Sequence, residues 1–121
     1  MAERRPARVA HLVQAELAGL LLRAVKDPRL QQVTVTAVRM TPDLRVAHIY
    51  VRSLGMAEAQ ATVLGGLARA TPFLRGEIGR ALGLRVTPEL RFAYDTVPDD
   101  ADRVEQLLRS AKPRSEPEDS G

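Results

Sequence analysis

The chain reads as one α+β domain whose elements run helix, strand, strand, helix, kink, helix, strand, with a C-terminal helix after them. Three observations predict this. Apolar residues recur every three or four positions over 7–26, 57–70 and 74–82, the period of one helix face. Residues 33–40 and 45–52 are rich in β-branched residues or alternate in polarity, as strands do, and Thr41-Pro42-Asp43-Leu44 joins them as a turn. Thr71-Pro72 then interrupts the second helical stretch, because proline lacks the N–H that would bond to the Ala68 carbonyl and its ring clashes with that carbonyl.

Residues 1–7 are polar and basic. Helix one is expected from about Ala7 to Lys26, where Val9, Leu12, Val13, Leu17, Leu20, Leu21 and Ala24 form one apolar stripe. His11 lies off that stripe and reads as exposed. Pro28 disfavours helical geometry at Asp27 and ends the helix. In Val33–Met40 the apolar phase changes, odd at Val33 and Val35 but even at Val38 and Met40, which predicts a bulge near Thr36 or Ala37. Arg45–Arg52 places Ala47, Ile49 and Val51 on one face and Val46, His48 and Tyr50 on the other, so the two strands form a hairpin.

Helix two follows Gly55 and runs to Ala70. Gly65-Gly66 within it costs about 1 kcal/mol per glycine relative to alanine, which implies close packing against another helix. After the break, Thr71 is expected to cap a third helix carrying Leu74, Ile78 and Leu82, with Pro72 in its first turn. Gly83 stops it. The third strand is expected from about Arg85 to Tyr94, with Leu90, Phe92 and Tyr94 on one face, Pro88 favouring an edge position, and a parallel relation to the second strand. A last helix over about 99–111 has acids at its start and bases at its end, matching the helix dipole. Residues 112–121 form a proline-, serine- and acid-rich tail expected to be disordered, so the domain proper spans 1–111.

At 121 residues the chain fits one domain, and its 45% apolar content supports a core. No cysteine is present, so disulfides and thiolate metal sites are excluded, in keeping with a cytoplasmic protein. The longest leucine run, Leu20-Leu21-Leu22, falls far short of the ~20 residues of a membrane span. Of the 18 basic residues, 16 are arginine, the side chain suited to bidentate phosphate or carboxylate contacts. Codon bias explains that richness equally well, since alanine, leucine and glycine also abound. Charge is uneven: residues 1–98 carry net +6 and residues 99–121 net −3. A basic body with an acidic end suits a nucleic-acid partner.

Catalytic chemistry is hard to find. His11 and His48 lie on different elements, and no nucleophile–base or metal-ligand spacing, Walker loop or dinucleotide fingerprint occurs. Asp43 and Asp95 read as turn residues. No enzyme, metal or cofactor is therefore expected. The order of elements is that of a type II K-homology fold. Gly76-Glu77-Ile78-Gly79 fits the glycine loop by which such domains clamp a nucleic-acid backbone, but Glu77 would repel phosphate and the segment keeps the third helix's apolar spacing. The arginines are the better candidates. Arg4, Arg5 and Arg8 crowd the start of helix one, and Arg69, Arg75, Arg80 and Arg85 surround the break at Ala70, Thr71 and Pro72. With Arg29 and Arg45 in the two connections they make up the expected RNA-binding set.

Six short pieces carry a more specific signal together than singly: Arg5-Pro6-Ala7-Arg8-Val9, Lys26-Asp27-Pro28-Arg29-Leu30, Val33–Val38, Asp43-Leu44-Arg45-Val46-Ala47, Phe73-Leu74-Arg75 and Pro88-Glu89-Leu90-Arg91-Phe92. In this order, and with Asp95, the chain resembles the ribosome-binding factor A family from residue 5 to about 108. The resemblance implies a non-catalytic, monomeric assembly factor that binds the free 30S small ribosomal subunit during late maturation of 16S rRNA, often linked to cold adaptation. It also implies a ribosome-associated GTPase as a release partner. The family replaces the glycine loop with an Ala-x-Gly kink, which falls on Ala70-Thr71-Pro72, so this chain departs from the pattern at Pro72. The competing reading is a protein-interaction module that does not bind RNA directly; salt-dependent binding to structured RNA separates the two.

Overall fold

Val9, Val13, Leu17, Leu20 and Leu21 lie along one stripe of the first helix, α1 (Arg4–Arg23), and every one of them is buried. The computed structural model describes residues 4–53 and 59–96. α1 starts and ends three residues earlier than its apolar period suggests. Its last turn loosens where the Ala24 and Val25 amides both donate to the Leu20 carbonyl, at 2.9 and 3.2 Å. The connection that follows is stiffened by Asp27, whose Oδ1 accepts the Arg29 N–H at 3.0 Å, an Asx turn. A single 3-10 turn (Leu30–Gln32) then delivers Leu30 into the core at 1% exposure.

β1 (Val33–Met40) and β2 (Val46–Ser53) pair antiparallel. The register steps from Val35 opposite Val51 to Ala37 opposite Tyr50, so Thr36 is the extra residue of the expected bulge, and its hydroxyl donates to the Tyr50 carbonyl at 3.1 Å. That one inserted residue is why Val35 and then Val38 and Met40 all reach the same core. The turn closes with the Leu44 N–H on the Thr41 carbonyl at 2.9 Å and Leu44 at φ 63°.

β3 (Glu89–Tyr94) pairs parallel to β2, giving the sheet order β1-β2-β3. One face stacks the rows Val35–Val51–Tyr94, Val38–Ile49–Phe92 and Met40–Ala47–Leu90, and both helices pack on it. β3 starts four residues later than expected. Pro88 has no N–H to give, so the first ladder bond comes from Glu89, whose N–H reaches the Arg45 carbonyl at 2.8 Å.

The main correction concerns the break. Residues Ala59–Leu82 form one helix, α2, with Pro72 inside it. Its apolar stripe explains why: Val63, Leu67, Leu74 and Ile78 are all buried, and the seven residues from Leu67 to Leu74 make two full turns, so the stripe keeps phase through the proline. Ala68 and Pro72 are exposed, so the carbonyl left without an N–H faces water instead of the core. Thr71 is no cap. Its hydroxyl donates back to the Leu67 carbonyl at 2.8 Å, the i−4 bond common for threonine within helices. Ala70, Thr71 and Pro72 thus do not divide two helices.

Two glycines let α2 approach its neighbours. A Cβ at Gly66 would lie 3.2 Å from Leu30 Cδ2, so the packing partner is the 3-10 turn. A Cβ at Gly79 would lie 2.6 Å from Thr87 Oγ1. Gly83 ends α2 at φ +61°, its N–H on the Gly79 carbonyl at 3.0 Å, the left-handed stop its sequence position suggested. The expected helix over 99–111, the tail 112–121 and the first residues of helix two lie outside the described residues. No helix among the described residues is long and apolar enough to cross a membrane.

Candidate nucleic-acid interface

The fold sorts the candidate arginines to two ends of the sheet. At the end where β1 stops and β2 and β3 start, three elements meet. The first turns of α1 pack beside Val38, Arg39 and Met40, bringing Arg5 and Arg8 there. The hairpin turn contributes Arg45, tied by its carbonyl to Glu89. The last turns of α2 and the 83–88 connection contribute Arg75, Arg80 and Arg85. The opposite end holds Arg29 and Arg69 around Asp27.

These arginines are not equivalent. Arg75 is part of the scaffold: its Nε donates to the Pro88 carbonyl at 3.0 Å and an Nη to the Thr87 carbonyl at 2.9 Å, clamping α2 to the lead-in of β3. Arg80 pairs with Glu77. Arg29 pairs with Asp27 at 3.2 Å, and its own backbone N–H, more than its charge, holds the Asp27 carboxyl below the ordinary 3.8, with Arg69 adding a smaller pull. By contrast Arg5, Arg8, Arg45 and Arg85 are exposed and make no ion pair among the described residues. The side chain of Arg4 lies outside what is described. The sequence set is therefore brought together only in part.

Gly76–Gly79 is a turn of α2 with Ile78 fully buried, so it offers no backbone loop to a phosphate. Asp43 has a structural task. It accepts the Thr41 hydroxyl at 2.7 Å and the Arg45 N–H at 3.1 Å, and these bonds, the hydroxyl's first, hold its carboxyl below 3.8. Asp95 is buried and ion-paired with Arg52 at 3.5 Å. Because Asp27 and Asp43 both have lowered folded-state values, their contribution is complete above about pH 4 and disappears as pH falls through those values. The Tm advantage of the wild type over Asp27→Asn/Asp43→Asn should thus be present at neutral pH and shrink as pH is lowered below about 4.

Sequence reasoning missed Arg39, which lines a cleft with His11 and Gln14. Its only signal was the phase change in β1, which says that a bulge exists but not that it sets Val38 and Met40 on the helix face with Arg39 between them. Glu89 was missed as well. Arg91 donates to it at 2.8 Å and, as the leading cause, lowers its carboxyl below 4.5.

The sequence model of the family Ribosome-binding factor A matches residues 5–108. The chain belongs to the ribosome-binding factor A family. The ribosome-binding factor A of Anaeromyxobacter dehalogenans (strain 2CP-C) is 48% identical over 109 residues, covering 89% of this chain and 79% of that one. The crystal structure of ribosome-binding factor A from Thermus thermophilus superposes with a TM-score of 0.64 at 31% identity, over 74% of this chain and 94% of the other. A homology model of the Thermus thermophilus ribosome binding factor A, fitted into the cryo-EM map of a 30S complex, gives a TM-score of 0.60 at 33% identity, over 74% and 98%. The α+β arrangement described above is thus similar to that of ribosome-binding factor A structures.

Proposed function

We propose that the chain binds the free 30S small ribosomal subunit and assists late maturation of its 16S rRNA, without catalysing a reaction or carrying a cofactor. The observation that carries this reading is the exposed set Arg5, Arg8, Arg45 and Arg85, delivered by three separate elements to one end of the sheet with no carboxylate partner among the described residues. Cations with no carboxylate partner among the described residues suit phosphates, and family membership makes rRNA the natural source of them. The order helix, strand, strand, helix, strand with β2 and β3 parallel supports a type II K-homology-like domain within residues 1–111. In this reading the protein is monomeric and cytoplasmic, its 112–121 tail is disordered, and a ribosome-associated GTPase releases it.

Sucrose-gradient sedimentation tests the proposal. Co-migration with free small subunits but not with translating ribosomes is expected, and binding should weaken linearly with log salt. Arg85→Ala should leave Tm unchanged and lower the salt slope by roughly 0.7–0.9. Arg75→Ala should instead destabilise the fold by about 1–2 kcal/mol, because a charged donor leaves two carbonyls. Glutamine at Arg5, Arg8, Arg45 and Arg85 together with an unchanged slope would overturn this surface and favour a protein-interaction module.

A further inference from the structure

Between the first three turns of α1 and the end of β1 lies a cleft of about 340 Å³, at the small end of the roughly 300–1,000 Å³ that ligand pockets span. Ala7, Ala10 and Val38 make an apolar wall, and His11 and Gln14 supply polar groups. Gln14 is held in place: its Nε2 donates to the Val35 carbonyl at 3.2 Å, which leaves its amide oxygen to accept. β1 is an edge strand. The Thr41 N–H donates to the Val46 carbonyl, so Thr41's backbone groups face β2, and alternation turns those of Val38 and Met40 off the sheet edge. No carboxylate among the described residues lines the cleft, and Arg8, three residues before His11, is its neighbour on the helix surface.

We propose that this cleft takes a single unpaired nucleotide of an RNA strand. The base lies against the apolar wall, Gln14 and the strand edge read its donors and acceptors, and His11 and Arg8 meet the phosphates. A carboxylate would satisfy the cations but leave the apolar wall and the paired donors and acceptors unused. A base has a face to stack and an edge to read. The proposal rests on the RNA-binding reading above and adds a nucleotide contact at the opposite edge of the sheet from Arg75 and Arg85.

The test is an NMR titration of the full ¹⁵N-labelled chain with 5′-mononucleotides and with an unstructured RNA hexamer. Saturable shifts centred on the amides of Ala10, His11, Val38 and Met40 are expected, larger than those from inorganic phosphate or a glutamate-rich peptide. His11→Ala and Gln14→Ala should each weaken the hexamer roughly tenfold. His11 is exposed, so its variant folds as the wild type does. Equal shifts from phosphate or from the peptide would overturn the proposal in favour of a general anion patch. Hexamer shifts confined to residues 75–89, with both variants binding normally, would also overturn it while leaving rRNA binding intact. Failure of the parent reading shows separately, as wild-type protein that does not co-sediment with small subunits.

Discussion

Pro72→Ala should stabilise the protein by about 2 kcal/mol, a rise in Tm of roughly 8 °C. Proline inside a helix is about 3 kcal/mol worse than alanine, and giving the unfolded chain back its freedom returns about 0.4–1 of that. Pro72 and Ala68 are exposed, so alanine restores the missing N–H to the Ala68 carbonyl without touching the core. The bond from Thr71 to Leu67 stays. Because α2 already runs unbroken from Ala59 to Leu82, Arg69, Arg75 and Arg80 keep their places and RNA affinity should not change. Thermal denaturation and a salt series of RNA binding check both halves. A loss of affinity with a gain in stability would mean that binding needs a bend at Pro72 which alanine removes.

The unbroken α2 reverses the break expected at Thr71-Pro72 from local chemistry alone, and the reversal shows what the sequence held. Proline's cost is local and was legible; the apolar stripe's phase was legible too, since Leu67 and Leu74 are two full turns apart. What could not be weighed from sequence was the burial of Val63, Leu67, Leu74 and Ile78 on one core, which outweighs a proline on the outer face. Where local and tertiary terms agreed, the reading was close: the bulge at Thr36, the hairpin, the Gly83 stop and the parallel β3 all appear. Among the arginines, charge and position in the chain could not separate clamps from contacts. Arg75 looks like Arg85 until Thr87 and Pro88 are seen beneath it. Arg39 was invisible because the cleft it lines joins elements more than 20 residues apart.

Lys26-Asp27-Pro28-Arg29-Leu30 is the piece of the family resemblance whose task is clearest in the fold, and it yields the second large effect. Asp27 fixes the turn through Arg29, and the turn aims Leu30 beneath α2 at Gly66. Leu30→Ala should cost about 3 kcal/mol, the middle of the range for a fully buried leucine. Gly66→Ala alone should gain about 1 kcal/mol of helix propensity but lose as much or more to crowding, because Leu30 Cδ2 at 3.2 Å is enclosed and cannot retreat. Leu30→Ala removes the crowding Cδ2, so in that background Gly66→Ala should stabilise by about 1 kcal/mol. The double-mutant cycle should thus show coupling of roughly 1–2 kcal/mol in denaturant melts. Binding to small subunits, measured well below each variant's Tm, should stay near wild type, since Arg5, Arg8, Arg45 and Arg85 stand at the other end of the sheet. Additive melts would show that Leu30 does not set the space at Gly66. A fall in binding at full foldedness would move Arg29 and Arg69 from the scaffold to the contact surface.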